Sequence, residues 1–229
     1  MTNEVLLAFA AGYAVTFVVL TAWLRTIPTE LQRYCYPILA VLGLGVPVYG
    51  LTGLGLGVLT VGGTELTLFT SLHTVPMGIV VWVTPVLLAG LSRKYVALVV
   101  AAVSTITPSF LIASLIGGIV MPVGLAVVLL AHAILFWIIL GPGWRAVKQG
   151  SARRRLVYWK LRNLLVFLFG LNLPVAFMSL AFTEFVGTVL REYMLFLMAA
   201  GFAAFLFANI QVFKNVDFDL TTEMPAQVQ

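Results

Sequence analysis

MAAGFAAFLFANI, residues 198–210, is the stretch that decides the fold. It contains no charge and no hydroxyl group, and its single amide is Asn209. A run of this kind is typical of the middle of a membrane helix. The whole chain agrees, because 62% of its residues are hydrophobic and only 9% are charged. A soluble domain needs far more polar residues to cover its surface, so the sequence predicts an integral membrane protein.

Seven apolar segments have the length of about 20 residues that a bilayer-spanning helix needs. They are 4–24, 35–60, 67–91, 95–117, 120–141, 157–182 and 191–213. All exceed the roughly 10 residues of a barrel strand, and none alternates polar and apolar residues. We therefore expect an all-α bundle of seven transmembrane helices over residues 1–214, followed by a flexible cytoplasmic tail at 215–229.

The basic residues predict the orientation of this bundle, because they concentrate on the cytoplasmic side of membrane proteins. With the N-terminus outside, only Arg191 of the 13 basic residues lies at an outer end. The others are Arg25, Arg33, Arg93, Lys94, Arg145, Lys148, Arg153, Arg154, Arg155, Lys160, Arg162 and Lys214. The net charge of +5 is thus explained by topology and predicts no nucleic-acid partner. We expect a multi-pass plasma-membrane protein with the C-terminus inside.

The acidic residues predict an uncharged interior. All eight fall at the ends of the predicted helices or in loops: Glu4, Glu30, Glu65, Glu184, Glu192, Asp217, Asp219 and Glu223. A buried ionisable group in a membrane is costly and marks transport or counterion chemistry. We therefore expect no buried carboxylate, lysine or arginine, and hence no proton relay or ion path.

The second segment is rich in glycine. Gly53 and Gly57 form a GxxxG pair, a pattern that lets two membrane helices approach closely. The pattern predicts tight packing within the bundle, with an oligomer interface as the alternative.

Four motifs follow one another in an order that is typical of one family. In chain order they are Tyr49 with L-T-V-G-G (Leu59–Gly63), W-V-T-P-V-L-L (Trp82–Leu88), K-L-R-N (Lys160–Asn163) with Pro174, and E-Y-M-L-F-L-M (Glu192–Met198). They resemble the end of the second helix, the Thr-Pro core of the third, the basic start and kink of the sixth, and the start of the seventh helix in microbial rhodopsins. The chain resembles the haloarchaeal bacteriorhodopsin group over nearly its whole length, which implies an archaeal membrane protein that forms trimers.

The resemblance also locates the residue that binds retinal in that family, a lysine whose amine forms a Schiff base. With the seventh helix aligned on Glu192 and Phe196, the lysine position falls on Ala204 and the second counterion on Ala200. The lysines of this chain lie at cytoplasmic helix ends or in loops: Lys94, Lys148, Lys160 and Lys214. Lys214 lies ten residues beyond Ala204, about 15 Å along a helix. The resemblance therefore implies a member without the Schiff-base lysine and without covalent retinal.

Other parts of the retinal site are replaced as well. The resemblance places the third-helix counterion at Ile79, its arginine at Pro76, the proton donor at Gly90 and a pocket tryptophan at Val80. The degenerate retinal pocket that it implies is lined by Tyr49, Ile79, Val80, Thr84, Phe169 (or Gly170), Leu173, Phe177, Ala200 and Ala204.

The remaining polar residues predict no catalysis. His73 and His132 lie on different helices, where each more often bonds a neighbouring helix or faces the interface than binds a metal. Asn172 and Asn209 are expected to bond backbone carbonyls or each other. The single Cys35 excludes an intrachain disulfide. We expect neither an enzyme nor a metal protein.

Three functions remain open. The first is a retinal-free opsin homologue with a regulatory or partner-binding role, which the resemblance links to carotenoid metabolism. The second is non-covalent binding of a carotenoid, retinal or lipid in the degenerate pocket. The third is a transporter or channel for a neutral solute.

Overall fold

Long helices make up most of the chain. The structure is a computed structural model that describes residues 2–61, 64–178 and 184–215, with the side chains of 3–60, 66–171 and 185–214. The predicted tail beyond Asn215 lies outside the described residues. In chain order the elements are α1 (Thr2–Leu24), α2 (Thr29–Gln32), α3 (Tyr36–Gly53), β1 (Val58–Val61), β2 (Thr64–Thr67), α4 (Leu68–Ala89), α5 (Arg93–Ile116), α6 (Val120–Leu140), α7 (Pro142–Lys148), α8 (Ala152–Met178), α9 (Glu184–Asn209) and a 3₁₀ helix (Ile210–Asn215).

Seven of these helices are membrane helices, as predicted. Six segments of the described chain are long and apolar enough to cross a bilayer: Asn3–Leu24, Tyr36–Gly53, Leu68–Ala89, Arg93–Ile116, Val120–Lys148 and Phe185–Lys214. The seventh is α8, whose 27 residues also suffice for a crossing. All its charged residues precede Asn163, so its second half is uncharged.

The helices pack in an order that closes the bundle. Neighbours along the chain are in contact from α1 through α3, α4 and α5 to α6, and α9 packs on both α8 and α1. Helix α4 also contacts α6, α7, α8 and α9, so it lies in the middle of the bundle. Side chains on α4 are therefore the ones best placed to face an interior site.

The predicted span at 35–60 is wrong at its C-terminal end. Helix α3 ends at Gly53, and Gly55 and Gly57 adopt φ angles of +83° and +71°, which favour glycine. These two glycines turn the chain into an antiparallel hairpin in which Val58 pairs with Thr67. The segment is apolar enough to count as membrane helix, but its glycines end the helix early.

The last helix begins before residue 191, the predicted start of the last span. Helix α9 begins at Glu184, so Glu192 lies eight residues inside it, about 12 Å along the axis. The adjacent charges of Arg191 and Glu192 suggested a membrane boundary, although the preceding turns are mostly apolar. Helix α8 likewise begins five residues before the predicted 157.

Two glycines of α3 serve packing inside the chain. A Cβ atom at Gly45 would lie 2.6 Å from the Tyr13 ring of α1, and one at Gly53 would lie 2.9 Å from the Leu7 side chain. The prediction of tight packing is confirmed for these positions. The GxxxG assignment is wrong, because Gly57 lies in the turn after the helix.

Helix α4 ends at a glycine for a backbone reason. Gly90 has φ +65°, and the amide of Leu91 donates to the Val86 carbonyl at 3.1 Å, as in a Schellman cap. A side chain at this position would be strained. The proton donor that the resemblance places here is therefore replaced by a glycine that caps the helix. The cap separates α4 from α5.

Candidate functional site

A buried carboxylate lies between α3 and α9. Glu192 is 1% exposed, and the Tyr49 hydroxyl donates a hydrogen bond of 2.7 Å to its Oε2 atom. Arg191 donates to the other oxygen, Oε1, from Nε at 2.9 Å and from Nη2 at 2.8 Å. The prediction of an interior without a buried acid is therefore wrong. The packing of α9 is the cause, since it brings Glu192 against Tyr49 of α3.

The guanidinium of Arg191 links this buried carboxylate to the surface of the protein. The Arg191 side chain is 51% exposed, whereas its partner Glu192 is buried. A buried charge needs a partner and further hydrogen bonds to persist in a membrane interior. Tyr49 and Arg191 provide them, one from each side of the carboxylate.

Aromatic rings surround the carboxylate. Tyr13 of α1 stacks on Tyr49 with ring centroids 4.9 Å apart, and Phe196 meets the Tyr13 ring edge-on at 5.2 Å. His73 of α4 lies edge-on to both tyrosines, at 5.6 Å from Tyr13 and 6.0 Å from Tyr49. We call Tyr13, Tyr49, His73, Glu192 and Phe196 the carboxylate cluster. Its members come from four helices that only the folded chain brings together.

His73 is held by the backbone. Its Nε2 atom lies 2.9 Å from the Val41 carbonyl of α3, and a carbonyl only accepts, so Nε2 carries the hydrogen. His132 bonds the Val128 carbonyl of its own helix through Nδ1 at 2.8 Å. Asn209 similarly donates to the Phe205 carbonyl at 2.8 Å. His73 therefore bonds a neighbouring helix and Asn209 a backbone carbonyl, as expected, whereas His132 bonds its own helix. The side chain of Asn172 lies outside the described residues.

The predicted pocket residues are only partly brought together. Tyr49 and Thr84 are buried, whereas Ile79, Val80, Phe169 and Ala200 are partly buried. The Thr84 hydroxyl donates to the Val80 carbonyl within α4 at 2.7 Å. The side chains of Leu173 and Phe177 lie outside the described residues. Ala204 is exposed on the outside of the bundle, so its assignment to the pocket is wrong.

The inward face of α9 corrects the predicted alignment. Glu192, Ala199 and Ala203 are buried, and Phe196 points between Tyr13 and Phe9, at ring distances of 5.2 and 6.0 Å. The resemblance placed the second counterion at Ala200 and the lysine four residues later, at Ala204. The same spacing starting from Glu192, the carboxylate that Tyr49 bonds, leads to Phe196. An aromatic ring therefore stands at the interior position one turn beyond the buried acid.

All the lysines are on the surface. Lys94 lies in the first turn of α5, Lys148 ends α7, Lys160 lies in the first half of α8, and Lys214 lies in the 3₁₀ helix. Each of the four is exposed. The sequence of α9 from Glu184 to Asn209 contains no lysine, so the correction of its alignment leaves the absence of an interior amine unchanged.

A second aromatic group fills the middle of the bundle. Trp82 of α4 is buried between Phe136 of α6, at a ring distance of 5.5 Å, and Phe169 of α8, at 4.8 Å. Trp82 Nε1 is buried and has no hydrogen-bond partner among the described residues. From sequence Trp82 was quoted only as the first residue of a motif, because an aromatic residue in an apolar helix gives no signal of its depth.

Solved structures with this architecture are microbial rhodopsins. The thermophilic rhodopsin from Rubrobacter xylanophilus matches with a TM-score of 0.85 and 15% identity, over 93% of this chain and 97% of that chain. A cyanorhodopsin from a Tolypothrix cyanobacterium matches with a TM-score of 0.84 and 17% identity, over 92% and 97%. A light-driven proton pump from Leptosphaeria maculans matches with a TM-score of 0.85 and 13% identity, over 94% and 96%.

These matches establish the class by fold. The chain is a multi-pass membrane protein with the fold of the microbial rhodopsins, as its motifs indicated. No protein-family model matches the chain, and no curated protein matches it at a significant level.

Proposed function

We propose that this chain is a retinal-free opsin homologue, in which the seven-helix scaffold is kept and the photochemistry is lost. The observation that carries the proposal is the inward face of α9, where Phe196, Ala199 and Ala203 follow Glu192 and no lysine occurs. A Schiff base with retinal needs a buried primary amine. The four lysines are exposed and cannot supply one.

The carboxylate cluster supports this proposal. In a protein that forms a protonated Schiff base, a buried carboxylate balances that positive charge. Here Glu192 is balanced by Arg191 and Tyr49, both within hydrogen-bond distance. The acid is thus satisfied without a chromophore, and its role in this proposal is to hold α3 and α9 together.

An absorption spectrum tests the proposal. The purified protein is incubated with all-trans retinal and then treated with hydroxylamine, which cleaves a retinal Schiff base. We expect no visible band that hydroxylamine bleaches. Such a band would falsify the retinal-free assignment and identify a reactive amine elsewhere in the chain.

We propose binding as the function of such a scaffold. We propose a regulatory, non-enzymatic role in which the protein binds a membrane-protein partner or lipid, with carotenoid metabolism as the process suggested by the resemblance. A homotrimer is part of this proposal. The glycines at positions 45 and 53 do not support it, because they pack against α1 of the same chain. Chemical cross-linking in native membranes, followed by mass analysis, measures the oligomeric state and identifies any partner.

A second candidate is non-covalent ligand binding in the interior. Trp82 Nε1 supports it, because a buried donor without an acceptor costs about 1–3 kcal/mol. An apolar ligand with one oxygen, such as a carotenoid or retinal, would supply an acceptor. Solvent extraction of the purified protein tests this candidate: a polyene in the wild-type extract and a reduced amount from Trp82→Phe would support it. An extract free of polyene would leave the partner-binding role.

The proposed orientation places the N-terminus outside and the C-terminus in the cytoplasm of the plasma membrane. The distribution of basic residues supports it. Single cysteines at two exposed positions test it, Asn3→Cys at the start of α1 and Gln149→Cys after α7. With intact cells and a membrane-impermeant maleimide, we expect labelling at position 3 only. Labelling at position 149 alone would reverse the orientation.

A further inference from the structure

A basic cavity lies at the end of the bundle where α8 begins. Its volume is about 260 Å³, and it is lined by Ser151, Arg153, Arg154, Gln211 and Val212. Ser151 directly precedes α8, Arg153 and Arg154 lie in its first turn, and Gln211 and Val212 belong to the 3₁₀ helix that follows α9. Among the residues that the structure describes, the lining therefore combines two guanidinium groups, a hydroxyl and an amide, with no acidic residue.

One of the two arginines is fixed in place. Arg154 Nε donates to the Leu88 carbonyl in the last turn of α4 at 2.6 Å, and its backbone amide donates to the Ser151 hydroxyl at 3.3 Å. A cation at a helix C-terminus is also favoured by the helix dipole. Gly90 makes room for this arrangement, because a Cβ atom there would lie 2.9 Å from Arg154 Nη2. The position of the guanidinium is thus set by α4 before any ligand arrives.

The second arginine is free to bind. Arg153 is exposed, lines the cavity and has no acidic partner in the described part of the chain. Guanidinium groups match the geometry of phosphate oxygens and bind them through paired hydrogen bonds. Gln211 faces the same space from the 3₁₀ helix and adds an amide donor.

We propose that this cavity binds a phosphate group, held by Arg153 and Arg154 on one side and by Gln211 on the other. Two sources present that chemistry, the headgroup of an anionic lipid and free phosphate. The position of the cavity along α8 favours the headgroup. The exposed Trp159 lies six residues beyond Arg153 on this helix, about 9 Å further into the bundle. Tryptophan is enriched at the membrane–water interface, which places the cavity at headgroup level.

Lipid binding to the purified protein tests the site. Native mass spectrometry in detergent, with phosphatidylglycerol titrated in, gives the apparent affinity for wild type, Arg153→Gln and Arg155→Gln. Arg155 is the matched control, because it is exposed and belongs to the same basic run but does not line the cavity. A parallel titration with inorganic phosphate, read by thermal stability, distinguishes the free anion from the headgroup.

We expect Arg153→Gln to weaken phosphatidylglycerol binding by about fivefold or more, the factor that one basic contact near a headgroup contributes. The affinity of Arg155→Gln for phosphatidylglycerol should stay within about twofold of wild type, because this variant loses only a long-range, screened electrostatic attraction. Gln211→Leu, which keeps all the arginines, should weaken binding as well. Stabilisation by inorganic phosphate alone, with the same dependence on Arg153, would assign the site to the free anion. Equal losses in the two arginine variants, or no binding of either phosphate source, would overturn the proposal.

Discussion

The Tyr49 hydroxyl donates a 2.7 Å hydrogen bond to the Glu192 carboxylate, and this contact joins α3 to α9 across 143 residues of sequence. Both side chains are buried to within 1% exposure. Helix α9 has no lysine that could neutralise this carboxylate. The hydrogen bond from Tyr49 therefore helps to keep a carboxylate inside a membrane bundle. Its energetic weight can be measured.

Tyr49→Phe should destabilise the folded protein by about 1.5–3 kcal/mol, because a hydrogen bond to a charged group is lost while the carboxylate stays buried. Thermal unfolding in detergent measures the effect. Tyr193→Phe is the control, since Tyr193 neighbours Glu192 in sequence but is exposed. Equal stability of the two variants would mean that the Tyr49 bond contributes nothing.

The register of α9 predicts where a lysine can recover pigment formation. We expect Phe196→Lys, whose amine would lie one turn from Glu192 inside the bundle, to form a hydroxylamine-sensitive band with retinal. Ala204→Lys should form none, because position 204 is exposed. The absorption spectra of both variants after incubation with retinal decide the matter. A pigment from Ala204→Lys alone would restore the alignment that the motifs suggested.

Close packing of α1 on α3 predicts a second stability difference. Gly45→Ala should cost about 1–3 kcal/mol, because the added methyl group lies 2.6 Å from the Tyr13 ring and the rings of the carboxylate cluster must shift. Gly50→Ala, in the same helix, has no atom within 4 Å of its added methyl group. That control should be neutral or stabilising by up to about 1 kcal/mol. Unfolding midpoints that do not separate the two variants would contradict the packing.

Cys35 should be unreactive in the folded protein. It lies just before α3, is fully buried, and burial raises the pKa of its thiol to about 12. The thiolate is the reactive form, and such a pKa leaves roughly one thiol in ten thousand ionised at pH 8. We expect no maleimide labelling at that pH until the protein is denatured. Ser92→Cys, at an exposed position, should add one rapidly labelled site; rapid labelling of wild type would show that Cys35 is accessible.

Part of the site was readable from the sequence and part was not. Tyr49 and Thr84 were identified through motifs around them, and the structure buries both. Glu192 was recognised in a motif but assigned to a helix end, because two adjacent charges resemble a membrane boundary in a one-dimensional pattern. Trp82 and Tyr13 carry no sequence signal for depth, since apolar helices of a membrane protein are hydrophobic on the lipid side as well as inside.

The sequence by itself determined the membrane class, the seven helices and the absence of any lysine in α9, because these depend on composition and on the length of apolar runs. The tertiary structure alone decided which face of each helix points inward. That face depends on which neighbour a helix packs against, and the packing of α9 on α1 and α3 makes Glu192 a buried acid. In the same way, only the packing of α8 against α4 and the 3₁₀ helix creates the basic cavity from residues that the sequence shows merely as a charged run.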